Sequence, residues 1–282
     1  MWDILGLQTL ILAFLIFAPL EHFFAMHEGK KIFRPAWKID LFYAVCSALF
    51  TKLGLALVII GTIYLASLLV PSSLSAAVAG LPLWVQVVVA IILSDLGFYA
   101  VHRLFHKIPW LWKFHAIHHS IETLDWLAGH RVHPVDQILT KGASLVPVFA
   151  LGFSDSAIVI YSMIYVWQSL LLHSNVSVNL GPLRYVLALP QFHHWHHADH
   201  PEAHDKNFAG QLAFLDFIFG THHLPGRTLP ERYGTSTPVP SDYTGQLLFP
   251  FKTDQSEQPI TESLGHADVG PIVGDLDRMT VR

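Results

Sequence analysis

The sequence predicts an all-α, integral-membrane helical bundle, with two single crossings, a third span and a hairpin beneath a helical cap that holds a histidine cluster. Two observations carry that expectation. Of the 282 residues 52% are hydrophobic and only 13% charged, with a mean hydropathy of +0.43, too apolar a balance for an ordinary soluble domain. Apolar runs long enough to cross a bilayer alternate with polar stretches, and 16 of the 19 histidines fall between His102 and His223, after the ends of those runs.

Residues 4–20 form the first apolar run; with Asp3 and no basic residue ahead of it, it is a poor signal peptide and reads as a retained transmembrane helix. Pro19 and Glu21 end it, and the loop that follows carries Lys30, Lys31, Arg34 and Lys38. The second run, residues 53–70, begins beside Lys52, whose charge can snorkel to the interface; residues 39–51 lie at the interface or extend that helix. Residues 71–80 carry no charge, and the chain returns through residues 81–101, about 31 Å as a helix. Basic residues concentrate in the 21–38 loop and again after His102, so the positive-inside rule puts both in the cytoplasm, and the histidines with them. If the source is bacterial, the membrane is the inner one.

Residues 140–172 must then leave and re-enter the same face, because histidine groups precede and follow them. Pro147, Gly152 and Ser154–Asp155 supply the break of a hairpin whose first arm has to include Lys141. Residues 102–139 and 173–235 make the cap, in which 208–220 reads as a membrane-apposed helix interrupted by Asp216. A single membrane-embedded domain is expected over residues 1–235, followed by a polar tail at 236–282 rich in Pro, Ser, Thr and Asp. The lone Cys46 leaves no internal disulfide and no cysteine metal site, and a net charge of -4 argues against nucleic acid as a partner.

The chemistry-bearing stretch is HRLFHKIPWLWKFHAIHH, residues 102–119, echoed by FHHWHH at 192–197. On a helix His102 and His106 are i and i+4, while His115, His118 and His119 are i, i+3 and i+4, a spacing that His193, His196 and His197 repeat; each group presents imidazoles to one side. Neutral imidazole is the commonest metal ligand, and eight of them can hold two first-row ions without thiolates. Either motif alone reads more readily as a core pair. Together in one apolar chain they point to metal, since grouped imidazoles would otherwise be buried partly unsatisfied.

HRLFH, HAIHH and HHWHH, in this order between hydrophobic segments, resemble the HxxxH, HxxHH and HxxHH boxes of the fatty acid hydroxylase and sterol desaturase superfamily. The resemblance extends through RVHP (131–134), LHSNV (172–176) and DKNFAG (205–210), covering residues 90–235. It implies two iron ions, which zinc can replace in purified protein, O2 as co-substrate, and a C–H bond of a bilayer lipid as the target. It adds His133 and His173 to the ligand set, and Asn207 as a structural or ligand-supporting residue. It also implies a separate electron donor, of ferredoxin or cytochrome type with its reductase, since this sequence holds no HPGG heme signature, no cysteine cluster and no glycine-rich dinucleotide fingerprint. Oligomeric state and lipid identity stay open.

Asp95 lies one heptad before His102 inside an apolar span, where a carboxylate is expensive. It is expected either to receive the N–H of a ligating imidazole or to sit hydrated near the site mouth; Asp136, Asp199 and Asp205 are alternatives for the first task. His130, His194, His200 and His204 read as structural or solvent-facing, as do His22, His27 and His266; His222 and His223 read as surface residues, with a channel-lining role as the alternative. Two rival functions remain at this stage. A zinc hydrolase would use Glu122 beside the second box, and a metal transporter would place ligands at the bilayer midplane.

Overall fold

The computed structural model describes residues 6–252, and among them no strand occurs; only two isolated bridges, Ala25 to Val176 and Ala198 to Tyr233, join extended segments. Eleven α-helices follow in chain order: α1 (Leu7–Phe23), α2 (Trp37–Phe42), α3 (Ala48–Leu69), α4 (Ser72–Ala79), α5 (Leu83–Lys107), α6 (Pro109–His119), α7 (Pro134–Leu151), α8 (Asp155–His173), α9 (Pro190–His196), α10 (Phe214–Ile218) and α11 (Tyr243–Leu248).

Three segments are long and apolar enough to cross a membrane, namely Trp37–Leu69, Leu83–Lys107 and Asp155–His173. The first is longer than its apolar core, because a π-helical turn at Tyr43–Ser47 joins α2 to α3 without a break. Residues 39–51 thus extend the helix. The α3 face away from the protein shows Leu53, Leu57, Ile60 and Leu68, each more than half exposed, the pattern of a surface solvated by acyl chains. This is a membrane protein. Helix α1 is apolar but has 17 residues.

The bundle forms around α7, which packs against both α3 and α5. Gly97 permits the approach of α5 to α7, since a β-carbon there would collide with the carbonyl of Ala143. The expected break between α7 and α8 is present: Gly152 adopts φ 74° as the left-handed C-cap of α7, and Ser154 caps α8 by accepting from Ala157 N. Ile108 is extended and Pro109 opens α6, so the chain turns at once from the span into the second histidine group. The third span itself runs to Lys107 rather than stopping at residue 101, and so carries His102 and His106 on its last two turns.

The folded unit also extends past the boundary expected at residue 235. It reaches Pro250, because the 236–250 stretch is held down: Trp112 Nε1 donates to Thr237 Oγ1 at 3.0 Å, and the Ser47 and Tyr243 hydroxyls lie 3.0 Å apart. Residues 253–282, with His266 among them, lie outside the described residues.

Candidate metal centre

Nine imidazoles converge where α5, α6, α8 and α9 end. They form two groups, His102, His106, His115, His119 and His196 in one, and His118, His173, His193 and His197 in the other, with the candidate ligand atoms of each group within 4.8 Å of one another. The spacing argument explains the split. His115 and His119, one turn apart on α6, join the α5 pair, whereas His118, rotated to the other side, meets His173 at the end of α8. All are buried except His106, which is partly so.

Hydrogen bonds at the outer nitrogen fix the tautomers. His102 Nδ1 donates to the carbonyl of Phe208 (2.7 Å), His196 Nδ1 to Lys206 O (2.7 Å), His118 Nδ1 to Arg131 O (3.1 Å) and His173 Nδ1 to Ser169 O (2.9 Å). A carbonyl can only accept, so each of these rings keeps its proton on Nδ1 and turns a bare Nε2 lone pair inward. His115 Nδ1 lies 2.7 Å from Asp136 Oδ2, and His106 Nδ1 faces Asp205 Oδ1 at 3.4 Å. The inward nitrogens then face one another: His102 Nε2 is 3.0 Å from His115 Nε2, and the bare lone pairs of His118 Nε2 and His173 Nε2 are 3.1 Å apart.

Two lone pairs at that distance repel, and no hydrogen bond joins them. A cation between them removes the conflict. Metal–imidazole bonds of about 2.1 Å at right angles put neighbouring nitrogens about 3.0 Å apart. The remaining contacts, His119 Nε2 to His196 Nε2 (3.1 Å), His193 Nε2 to His173 Nε2 (2.9 Å) and His197 Nε2 to His193 Nε2 (3.1 Å), match that edge length too. Buried His106 Nε2 has no hydrogen-bond partner among the described residues. The residues therefore fit a pair of metal ions. Burial first, and neighbouring positive groups second, lower the pKa of His115, His118, His119, His193, His196 and His197 well below the ordinary imidazole value, which keeps them neutral and ready to ligate.

His133 is the expected ligand that stands apart. Its Nδ1 caps α7 by accepting from Val135 N (3.1 Å), and its Nε2 donates to Leu247 O (3.2 Å), so both nitrogens are engaged. Asp95 also differs from the expectation: it meets no imidazole and instead accepts from the backbone amides of Gly210 (2.8 Å) and Leu212 (2.7 Å). It anchors the 205–212 loop, whose Lys206 and Phe208 carbonyls accept from His196 and His102. Asn207, at φ 60°, ties that loop to α9 by donating to Phe192 O (2.8 Å) and to His223 O (2.7 Å). Of the carboxylates considered as imidazole partners, Asp136 and Asp205 face one and Asp199 does not; its backbone N–H donates to Arg232 O.

Other histidines fall outside the two groups. His194 is buried between Tyr233 Oη (2.7 Å) and Ser174 O (3.0 Å), His27 shares that Tyr233 hydroxyl, and His222 stacks on Phe217. His130 sits in the short turn Ala128–His130, His200 lies 4.0 Å from Glu202, and His204, His22 and Glu122 are exposed.

A feature that sequence reasoning missed supports the second group. Arg34 bonds Asp125 twice, through Nε (2.7 Å) and Nη2 (2.7 Å), and Asp40 through Nη2 (2.6 Å); Asp40 in turn accepts from Arg131 Nε. All four residues are buried, and the Arg131 carbonyl receives the His118 Nδ1 proton. The available signal was the rarity of charge: in a chain with 13% charged residues, an Arg and an Asp flanking an apolar run are candidates for mutual burial.

Comparison with known proteins agrees with this geometry. Residues 87–221 match the fatty acid hydroxylase family model. The chain is 31% identical over 170 residues to ornithine lipid hydroxylase OlsE of Rhizobium tropici, covering 60% of this chain and 51% of that protein. It is 32% identical over 145 residues to alkylglycerol monooxygenase of Homo sapiens, covering 51% of this chain and 32% of that one. The chain thus spans about half the length of the first relative and about a third of the second. No solved structure matches. All nine converging imidazoles lie inside residues 87–221, the stretch similar to the fatty acid hydroxylase family.

Proposed function

We propose that this chain is a membrane-bound di-iron, O2-dependent lipid oxidoreductase acting on a C–H bond of a fatty acyl chain, sterol or related lipid. The observation that carries the proposal is the crowding of inward-facing Nε2 atoms in two adjacent buried groups. His102, His106, His115, His119 and His196 would hold one iron, and His118, His173, His193 and His197 the other. The pair would supply O2-dependent oxidation of an unactivated C–H bond, which no side-chain acid, base or nucleophile performs.

The protein's own part is to orient and to exclude water. The carbonyls of Phe208, Lys206, Arg131 and Ser169 hold the Nδ1 protons of four ligands, and Asp136 orients the ring of His115 through its Nδ1. Phe105 and Phe208, almost fully buried beside the first group, keep it dry. His102 and His106 lie on the last two turns of α5 and His173 is the last residue of α8, so the centre sits at one end of two spans. That position suits lateral entry of a lipid, and disfavours transport, which would use midplane ligands. Exposed Glu122 disfavours a zinc hydrolase.

The relatives' names favour hydroxylation over desaturation, since one is a lipid hydroxylase and the other a monooxygenase. On the charge pattern, the protein is multi-pass, the cluster faces the cytoplasm, and a ferredoxin or cytochrome-type donor docks there. The test uses the full chain purified in lipid nanodiscs, loaded anaerobically with ferrous iron and given a reducing system and O2. The expected result is a lipid product heavier by one oxygen, dependent on both iron and O2. Zinc-dependent hydrolysis, or metal flux without lipid oxidation, would overturn the proposal.

A further inference from the structure

The 205–220 stretch packs far down the spans. Asp95, whose carboxylate accepts from Gly210 N and Leu212 N, lies seven residues before His102 on α5, about 10 Å nearer the bilayer centre along the helix axis. From the other side Gln168, five residues before the end of α8, donates through Nε2 to Gln211 O (2.9 Å) and Ala188 O (3.2 Å). Ala188 N in turn donates to Gln211 O at 2.9 Å. Irregular backbone at membrane depth is tolerated only where protein satisfies its N–H and C=O groups. Here two polar side chains, otherwise unexplained in the middle of apolar spans, do that.

Helix α10 follows this anchor and is built inside out. Its Asp216 is completely buried and accepts from Phe208 N (2.8 Å), Ala209 N (2.9 Å) and Thr221 Oγ1 (2.6 Å), while Phe217, Ile218 and Phe219 are 51, 65 and 45% exposed. Phe219 stacks on Tyr99 of α5 at 4.8 Å, which fixes its level within that span. Beside it, Leu183 is 51% exposed, and Arg184 reaches away to the Gly226 carbonyl and the Tyr185 hydroxyl. An Arg–Tyr pair next to exposed apolar groups is the signature of a headgroup-level anchor.

We propose that α10 and the 181–186 turn form a re-entrant wedge, with Phe217, Ile218, Phe219 and Leu183 immersed in the acyl chains of the leaflet beside α5 and α8. The occupant of this face is the lipid bilayer itself. The inference rests on α5 and α8 being spans and adds that a part of the cap, read from sequence as lying on the membrane, is inside it.

The test labels the full chain, in nanodiscs and on a Cys46→Ser background, with a fluorophore at Ile218→Cys or Leu183→Cys. Leu57→Cys on α3 and Glu202→Cys on the cap are references for lipid and water. Quenching by lipids that carry a nitroxide on the acyl chain should match Leu57→Cys at both wedge positions, and a water-soluble quencher should act only at Glu202→Cys. Wedge labels that behave like Glu202→Cys overturn the proposal, as does protection that varies with the protein-to-lipid ratio, which would mean a second copy covers the face. An aqueous Leu57→Cys would instead overturn the span assignment, and the wedge with it. On the unlabelled wild-type chain, an acyl-chain photolabel should give adducts in residues 214–219; their absence while α3 is labelled overturns the wedge independently of any variant.

Discussion

His118 Nε2 stands 3.1 Å from His173 Nε2, one ring carried by α6 and the other by α8, with the Nδ1 proton of each given to a backbone carbonyl. A metal cation between them reconciles those two lone pairs. His173→Ala should therefore lower metal content from about two ions to about one per chain, by the ligand assignment argued from imidazole chemistry, with the His102 group still loaded. His133→Ala, whose ring caps α7, should leave metal content unchanged and cost about 1 kcal/mol of stability. Elemental analysis of the purified variants reads both, and metal loss in His133→Ala with retention in His173→Ala would reverse the assignment.

Stability and metal retention should fall together on acidification. His115, His118, His119, His193, His194, His196 and His197 are held well below the usual imidazole pKa, by burial first. Unfolded, the same rings take up protons near pH 6.5. Below that pH the unfolded chain binds more protons than the folded one, so stability is lost as pH falls and is constant above it. Metal binding needs the same neutral rings and moves in the same direction. Thermal unfolding of chelator-treated protein should show a lower midpoint at about pH 5.5 than at about pH 7.5; a flat or opposite profile would contradict the burial argument.

Asp95→Ala should destabilise the protein by about 1–3 kcal/mol for each of the two amides it strands. Asp95→Asn, which keeps one acceptor oxygen, should cost less. Because the anchored loop carries the carbonyls of Lys206 and Phe208, both variants should lose metal first from the His102 group. Selective loss from the His173 group would show that the loop does not carry the effect.

Asp40→Ala leaves Arg34 and Arg131 without a shared buried carboxylate. Breaking a buried ionic network from one side costs about 3–5 kcal/mol, and here the Arg131 carbonyl on His118 should shift as well. The expected outcome is a large fall in thermal midpoint with weakened metal at the His118 group. An unchanged midpoint would mean the network is not energetically coupled to the fold.

Sequence alone reaches the helical class, the position of the hairpin break and eight of the nine converging imidazoles, because each is a local property. Hydrophobic run length, a Gly–Phe–Ser break and i, i+3, i+4 spacing are written within a few turns of chain. It also recovers the third-span histidines, though it ends that helix too early, since apolarity stops at residue 101 while the helix continues to Lys107. What only the tertiary structure decides is how the imidazoles partition and what holds them. His118 parts from His115 and His119 because its direction off α6 meets α8. His133 stands outside both groups, and α11 presents the Leu247 carbonyl to it from 114 residues away. Asp95 serves a loop 115 residues distant, and Arg34 and Asp125, 91 residues apart, close a network under His118. Spacing along a helix fixes which side a ring leaves from; which atom waits there is settled by chain returning from far away in sequence.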